Sequence, residues 1–125
     1  MTPVVYDIDE AAEARSSLTP IVRLANLLIR ECLKAEVMAC RLRPRDHQAG
    51  TASLSKDGTW QEVMRFPLAA HMALVKHLGL MGEAEVKEGE AREGTITVRW
   101  QGDTHEIGVR LGRAADDVSE ALLTF

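Results

Sequence analysis

The sequence predicts an α+β domain in which an antiparallel sheet packs against two main helices. Two segments place apolar residues at helical spacing, and several short segments alternate polar and apolar residues with period two. The predicted strands come in runs after each helix rather than singly between helices, which favours α+β over α/β. The predicted element order is α-β-β-β-α-β-β-β.

The first helix is predicted from TPIVRLANLLIRECLKA, which begins at Thr19. A threonine there can cap the first turn, and Pro20 occupies the first helical position, where its missing N–H costs nothing. Apolar residues recur at spacings of three and four, which predicts one buried stripe opposite a basic face. The stripe consists of Ile21, Leu24, Ala25, Leu28 and Cys32, and the basic face of Arg23, Arg30 and Lys34.

Three strands are predicted to follow this helix. GTASLS and WQEVMRF form a hairpin around the turn from Lys56 to Gly58, because aspartate and glycine tolerate positive φ. The strand before them is VMACRLRP, which ends at Pro44. Its predicted faces are Met38, Cys40 and Leu42 on one side and Ala39, Arg41 and Arg43 on the other.

PLAAHMALVKHLGLM predicts the second helix, which begins after Pro67 and ends at Gly82. The charged segment EVKEGEAREG and the segment GRAADD are predicted loops. TITVRWQ and HEIGVRL are predicted strands joined by a turn at Gly102 and Asp103, and VSEALLTF is predicted to be a strand rather than a short helix. The buried face of the second helix is predicted to consist of Leu68, Met72, Val75 and Leu78.

Residues 1–18 are acidic and rich in alanine, so we expect an arm or linker there and a folded domain over residues 19–125. The net charge of −4 and the pI of about 5.5 argue against a nucleic-acid partner. No apolar run has the length of a membrane span, and the acidic N-terminus differs from a signal peptide. We therefore expect a cytoplasmic protein without membrane insertion.

The sequence lacks the common signatures of enzyme sites, namely GxxxxGK[ST], GxGxxG, GxSxG and HExxH. Cys32 and Cys40 lie in different predicted elements and form no CxxC, which favours buried free thiols over a disulfide or a metal pair. The histidines are scattered without metal-ligand spacing. We therefore expect no catalytic residues, no metal, no cofactor and no enzymatic activity. The histidines are His47, His71, His77 and His105.

The densest run of positive charge is RLRPRDH, from Arg41 to His47. Strand periodicity places Arg41 and Arg43 side by side on one face, while Arg45 and His47 lie in the loop beyond Pro44. One interpretation is the solvated rim of an ordinary strand, where surface arginines are common. The other is a surface that binds an acidic partner through complementary charge.

From Thr19 to Phe125 the sequence resembles the domain that precedes the motor domain in type II secretion and type IV pilus assembly ATPases. That family has a helix (A/T)PIV(R/K)LxNxLLxEA, a strand SDIHIEP, a hairpin with RxRxDG, a helix ALVSRIKVMAGLDI and a turn QDGRI before the closing strands. The corresponding segments here are, in the same order, TPIVRLANLLIRECLKA, MACRLRP, SLSKDGTWQEVMRFP, HMALVKHLGLMGEAEV and REGTITV.

The resemblance implies a PAS-like fold that packs against the motor domain of a neighbouring subunit in a hexamer, contacts nucleotide through arginines and takes part in contacts to the assembly platform. Because the chain has no phosphate loop and no acidic boxes, we expect no ATP hydrolysis by the family's mechanism. The family's apolar positions are retained, whereas its polar positions are replaced. The replacements are Ala39, Arg41 and Arg43 for aspartate, histidine and glutamate, Ser53 and Ser55 for arginines, His77 and Gly79 for arginine and lysine, and Thr95 for arginine.

The resulting hypothesis is a non-catalytic protein-interaction module that docks on or regulates a secretion, pilus or motility machine. The partner would be a full-length ATPase of this family or another cytoplasmic component of such a machine. Arg41, Arg43 and Arg45 are the predicted partner-binding residues, and the acidic arm is a second contact surface. The alternatives are a small-ligand or nucleotide sensor with a PAS-like cavity between sheet and helices, and a homodimer formed through exposed strand edges.

Overall fold

The computed structural model describes residues 4–14, 17–84, 92–113 and 119–125. Within these ranges the chain forms three helices and one seven-stranded sheet. The elements are β1 (Val5–Asp7), α1 (Glu10–Ala14), α2 (Pro20–Ala35), β2 (Ala39–Pro44), β3 (Ala49–Ser55), β4 (Trp60–Pro67), α3 (Leu68–Met81), β5 (Arg92–Trp100), β6 (Asp103–Arg113) and β7 (Ser119–Thr124).

The strands are ordered β1-β5-β6-β7-β2-β3-β4 across the sheet. β1 runs parallel to β5, and every other neighbouring pair is antiparallel. The last strand, β7, lies between β6 and β2 and so joins the two antiparallel groups into one sheet. The α+β prediction is therefore confirmed, and VSEALLTF contains the predicted strand.

Two parts of the predicted architecture are wrong. The sheet is mixed rather than antiparallel, and the predicted element order is not matched, because β1 and α1 precede α2. Both elements lie in the segment expected to be an arm. A three-residue strand and a five-residue helix are too short to show a periodicity. Residues 1–3 and 15–16 of the same segment lie outside the described residues.

Helix α2 begins and ends as its sequence predicts. The hydroxyl oxygen of Thr19 accepts a hydrogen bond from the Val22 N–H at 3.4 Å, and Pro20 is the first helical residue. At the other end Glu36 adopts a left-handed φ of 54°, and its N–H donates to carbonyls of the last turn. These caps fix the direction in which the chain enters β2.

Arg30 contradicts the predicted basic face of α2, because its side chain is buried. The residue is only 5% exposed, and its Nη1 donates to the Ile8 carbonyl at 2.9 Å and to the Glu13 carboxylate at 2.6 Å. Residues 4–14, hereafter the N-terminal segment, cover this part of the helix. The spacing of apolar residues along α2 alone cannot show that a distant segment covers Arg30.

Helix α3 starts after Pro67 and ends at Gly82, as predicted. Val75 and Leu78 are buried, but Met72 is 47% exposed and does not belong to the buried face. Apolar residues occur on almost every side of this helix, so their spacing does not identify the face that packs on the sheet. The residues that are buried are His71, Leu74, Val75, Leu78, Gly79 and Met81.

Helices α2 and α3 pack side by side against one face of the sheet and leave the other face open. Along β2, Cys40 and Leu42 are fully buried under the helices, and Arg41 and Arg43 point to the open face, as predicted. Met38 does not share the buried face, because it precedes β2 and is 63% exposed.

The two predicted loops are described only in part. Residues 85–91 and 114–118 lie outside the described residues. The end of the first predicted loop, Arg92 to Gly94, belongs to β5, and the start of the second, Gly112 and Arg113, belongs to β6. The hairpin between β5 and β6 therefore extends further from its turn than the alternating pattern indicates.

Candidate functional site

The open face of the sheet carries Arg41 near its middle. β2 lies between β7 and β3, so Arg41 is flanked by Leu122 on one side and Ser53 on the other. Its guanidinium carbon lies 4.3 Å from the centroid of the Trp60 ring. This distance is typical of a cation–π contact, which is worth about 0.5–1 kcal/mol at an exposed site.

The hairpin turn places Trp60 next to Arg41. Gly58 adopts a φ of 96°, and its N–H donates to the Ser55 hydroxyl at 3.0 Å, so that Ser55 and Trp60 become cross-strand partners. Arg41 pairs with Ser53, two residues before Ser55 on the same face. The indole therefore reaches Arg41 diagonally across β3. A tryptophan in a strand usually packs in a core or a hairpin, and here the register of the hairpin supplies the contact with Arg41.

The other two predicted arginines already have carboxylate partners in the chain. Arg43 Nε lies 3.4 Å from a Glu120 carboxylate oxygen on β7, and Arg45 Nη1 lies 3.3 Å from Glu62 on β4. The structure thus brings Arg41 and Arg43 together on the open face, whereas Arg45 lies in the loop after β2. All four side chains are substantially exposed, so each ion pair contributes about 0–1 kcal/mol.

Arg41 differs from these arginines because no salt bridge among the described residues includes it. Partial burial lowers its pKa, the positive charge of Arg43 lowers it further, and Glu120 partly offsets this. The guanidinium nevertheless stays charged at any physiological pH. Its planar fork of N–H donors, held against an aromatic ring, suits two-point binding of a carboxylate or a phosphate.

The carboxylates of the N-terminal segment are bound within the chain. Asp9 accepts a hydrogen bond from the Gln101 N–H at 2.8 Å, and Glu10 lies 3.2 Å from the Lys34 ammonium. Glu13 binds the buried Arg30. These contacts attach the segment to α2 and to the turn after β5. The carboxylates of Asp9 and Glu13 are therefore less available to a partner than the acidic sequence of the arm indicates, whereas the Glu10 side chain remains 66% exposed.

The histidines do not form a site. In the part of the chain that the structure describes, no three His, Cys, Asp or Glu side chains form a group that could hold a metal ion. His71 is fully buried under the sheet, His105 packs against Trp100 with ring centroids 6.3 Å apart, and His47 lies in the loop after β2. His77 lines a cavity on the helix side of the sheet.

Cys32 and Cys40 are both buried free thiols, as predicted. A hydrogen bond with Cys40 and burial raise the pKa of the Cys32 thiol far above its usual range. Because the pKa of Cys32 is higher in the folded than in the unfolded protein, its contribution to the free energy of unfolding is fully present below about pH 8.5. The contribution declines at higher pH, where the thiol of the unfolded chain loses its proton first.

We therefore expect DTNB at pH 8 to leave both thiols unmodified in the native protein, because the thiolate is the reactive form. Guanidinium chloride should release two equivalents, one for each cysteine of the chain. Rapid labelling in native buffer would contradict the burial of this pair.

Comparison with known proteins does not assign a role to the open face. No protein-family model matches the chain, and no curated protein matches it. No helix in the described ranges has both the length and the apolar character that a membrane crossing requires. The function is therefore inferred from Arg41 and its surroundings.

Proposed function

We propose that the chain is a non-catalytic protein-interaction module that binds an acidic partner through the open face of its sheet. The observation that carries this proposal is the environment of Arg41. This guanidinium lies near the middle of the sheet, rests on Trp60 and has no ion-pair partner among the described residues. A carboxylate from a partner would complete its hydrogen bonding.

The surroundings of Arg41 suit the centre of an interface. Arginine and tryptophan are enriched among the residues that contribute most to binding, and the partly buried Leu122 adds apolar area beside them. The ion pair between Arg43 and Glu120 is partly exposed, so breaking it to let Arg43 bind a partner costs little free energy. Uncharged polar side chains occupy other positions on this face, namely Thr51, Ser53, Thr95, Thr97 and Thr124.

The partner in this proposal is a full-length secretion or pilus assembly ATPase, or another cytoplasmic component of such a machine. This part rests on the sequence segments that resemble the N-terminal domain of that family, and it includes a PAS-like arrangement of residues 19–125. Arg41 and Arg43 replace a histidine and a glutamate of the family's strand. The local charge is thus reversed, which favours an acidic protein surface over a nucleotide.

The homodimer alternative has less support from the strand edges. β4 is an edge strand, and its pairing with β3 is irregular between Ala52 and Ser53. It also carries the charged residues Glu62 and Arg65 and ends at Pro67. β1, at the opposite edge, has only three residues. Irregular, charged or short edges oppose pairing with a second sheet.

Affinity capture from a lysate of the source organism tests the proposal. The wild-type chain should retain an ATPase of the secretion, pilus or motility type, and the double variant Arg41→Glu, Arg43→Glu should not. Recovery of no such protein by the wild type would contradict the proposed partner. Equal recovery by both chains would contradict the proposed face.

A further inference from the structure

A cavity of about 340 Å³ lies on the helix side of the sheet, between the N-terminal segment and helices α2 and α3. Its lining includes none of the residues proposed for the open face. Small-molecule sites start at about 300 Å³. The volume is therefore sufficient for a compact organic ligand.

Asn26 of α2 is the polar residue of this cavity that the fold does not explain. It is only 4% exposed, lines the cavity, and takes part in none of the side-chain hydrogen bonds among the described residues. Its amide atoms are not among the fully buried, unpartnered side-chain atoms of the described residues, so they are reached from the cavity, whereas most buried polar groups in proteins are paired within the fold. A ligand in the cavity would provide the missing donor and acceptor.

The remaining walls define the polarity of that ligand. Val22 and Met81 provide apolar surface. His77 is partly buried, and desolvation lowers its pKa, so its imidazole is neutral at physiological pH and offers one donor and one acceptor.

The charged groups of the lining are carboxylates. Glu13 is paired with Arg30. Asp7, whose carboxylate accepts a hydrogen bond from the Asp9 N–H, adds a negative charge to the lining. This charge opposes the binding of an anion.

We infer that this cavity binds a small, uncharged organic ligand. The ligand bonds to the side chain of Asn26 through a carboxamide, or through a heterocyclic edge with the same donor–acceptor pair. An amide and a carboxamide can form two parallel hydrogen bonds, which satisfies both polar ends of Asn26. The inference is independent of the open face. Because Asp7 and Glu13 line the cavity, we expect an uncharged ligand there rather than a free nucleotide.

Benzamide and benzoate provide a matched pair of probes, since they share a shape and differ in charge. Asn26 is the only asparagine of the chain, so in a ¹⁵N-labelled sample its side-chain amide resonances are a direct reporter once separated from those of the glutamines. Millimolar benzamide should shift these resonances and the backbone signals of Ala12 and His77 saturably, and benzoate should not. Absence of a saturable benzamide shift, or equal binding of benzoate, would overturn the inference.

The variant Asn26→Leu keeps the side-chain volume and removes the amide. We expect it to fold with a nearly unchanged melting temperature, because no side-chain hydrogen bond among the described residues is lost. Benzamide binding, followed through the backbone signals, should weaken at least about tenfold. Val22→Phe, which fills the cavity and retains Asn26, should also abolish the shifts. Undiminished binding by either variant would refute the assigned site.

Discussion

Replacing Gly94 by alanine is expected to lower the free energy of unfolding by about 3 kcal/mol. A Cβ at this position of β5 would overlap the carbonyl oxygen of Gly82 and lie 2.9 Å from its carbonyl carbon. Both are backbone atoms at the end of α3, so no side-chain rotation can relieve the overlap. The helix end and the strand would have to separate.

Gly108 on the adjacent strand β6 provides the matched control. A Cβ there would lie 3.6 Å from the Thr124 side chain, an ordinary van der Waals contact. Gly108→Ala should therefore change stability by no more than about 0.5 kcal/mol. Urea unfolding of both variants measures the difference. Equal losses of unfolding free energy in the two variants would show that the close approach of Gly94 to Gly82 does not determine the packing of α3.

Arg30→Met is expected to cost about 3 kcal/mol of stability, because it removes one partner from a buried ionic contact. The Ile8 carbonyl and the Glu13 carboxylate would both lose their hydrogen bonds with the guanidinium. Methionine fills most of the space but cannot replace those bonds. The loss should be concentrated in the N-terminal segment, whose attachment to α2 depends on this side chain.

Hydrogen exchange and urea unfolding test this prediction together. Amide protection of the Ile8 N–H, which bonds to the Arg99 carbonyl, should fall more than the protection of α2. Arg23→Met is the control, since Arg23 is exposed on the same helix, and it should change stability by less than about 0.5 kcal/mol. Similar costs for the two variants would contradict the role of Arg30.

The elements that sequence predicts well are those whose patterns are local. The start of α2 follows from Thr19 and Pro20, and the position of Arg41 and Arg43 on the open face follows from alternation along β2. The extent of α3 follows from Pro67 and Gly82. Each of these signals lies within a few residues of the feature that it predicts.

The features that sequence misses depend on contacts between distant segments. The burial of Arg30 requires the N-terminal segment to fold over α2, and the parallel pairing of β1 with β5 joins residues far apart in the chain. The exposure of Met72 depends on how α3 lies on the sheet, because that helix is apolar on most sides. No periodicity in a single segment carries this information.

The candidate site lies between these cases. Its arginines are predicted from the sequence alone, whereas the stacking of Arg41 on Trp60 and the pairing of Arg43 with Glu120 require the register of four strands. These contacts distinguish Arg41 from the other arginines of the run. Sequence therefore predicts the surface, and the register identifies the residue at its centre.

The dissociation constant of the partner recovered by affinity capture, measured by titration calorimetry, tests the proposed function most directly. Changing Arg41 and Arg43 together to glutamate should weaken binding at least about a hundredfold, because two attractive charges become repulsive. Stability should fall by no more than about 1 kcal/mol, since only a cation–π contact and an exposed ion pair are lost. Arg23→Glu, on the helix side, should leave the affinity unchanged. An unchanged affinity in the double variant would contradict binding through the open face.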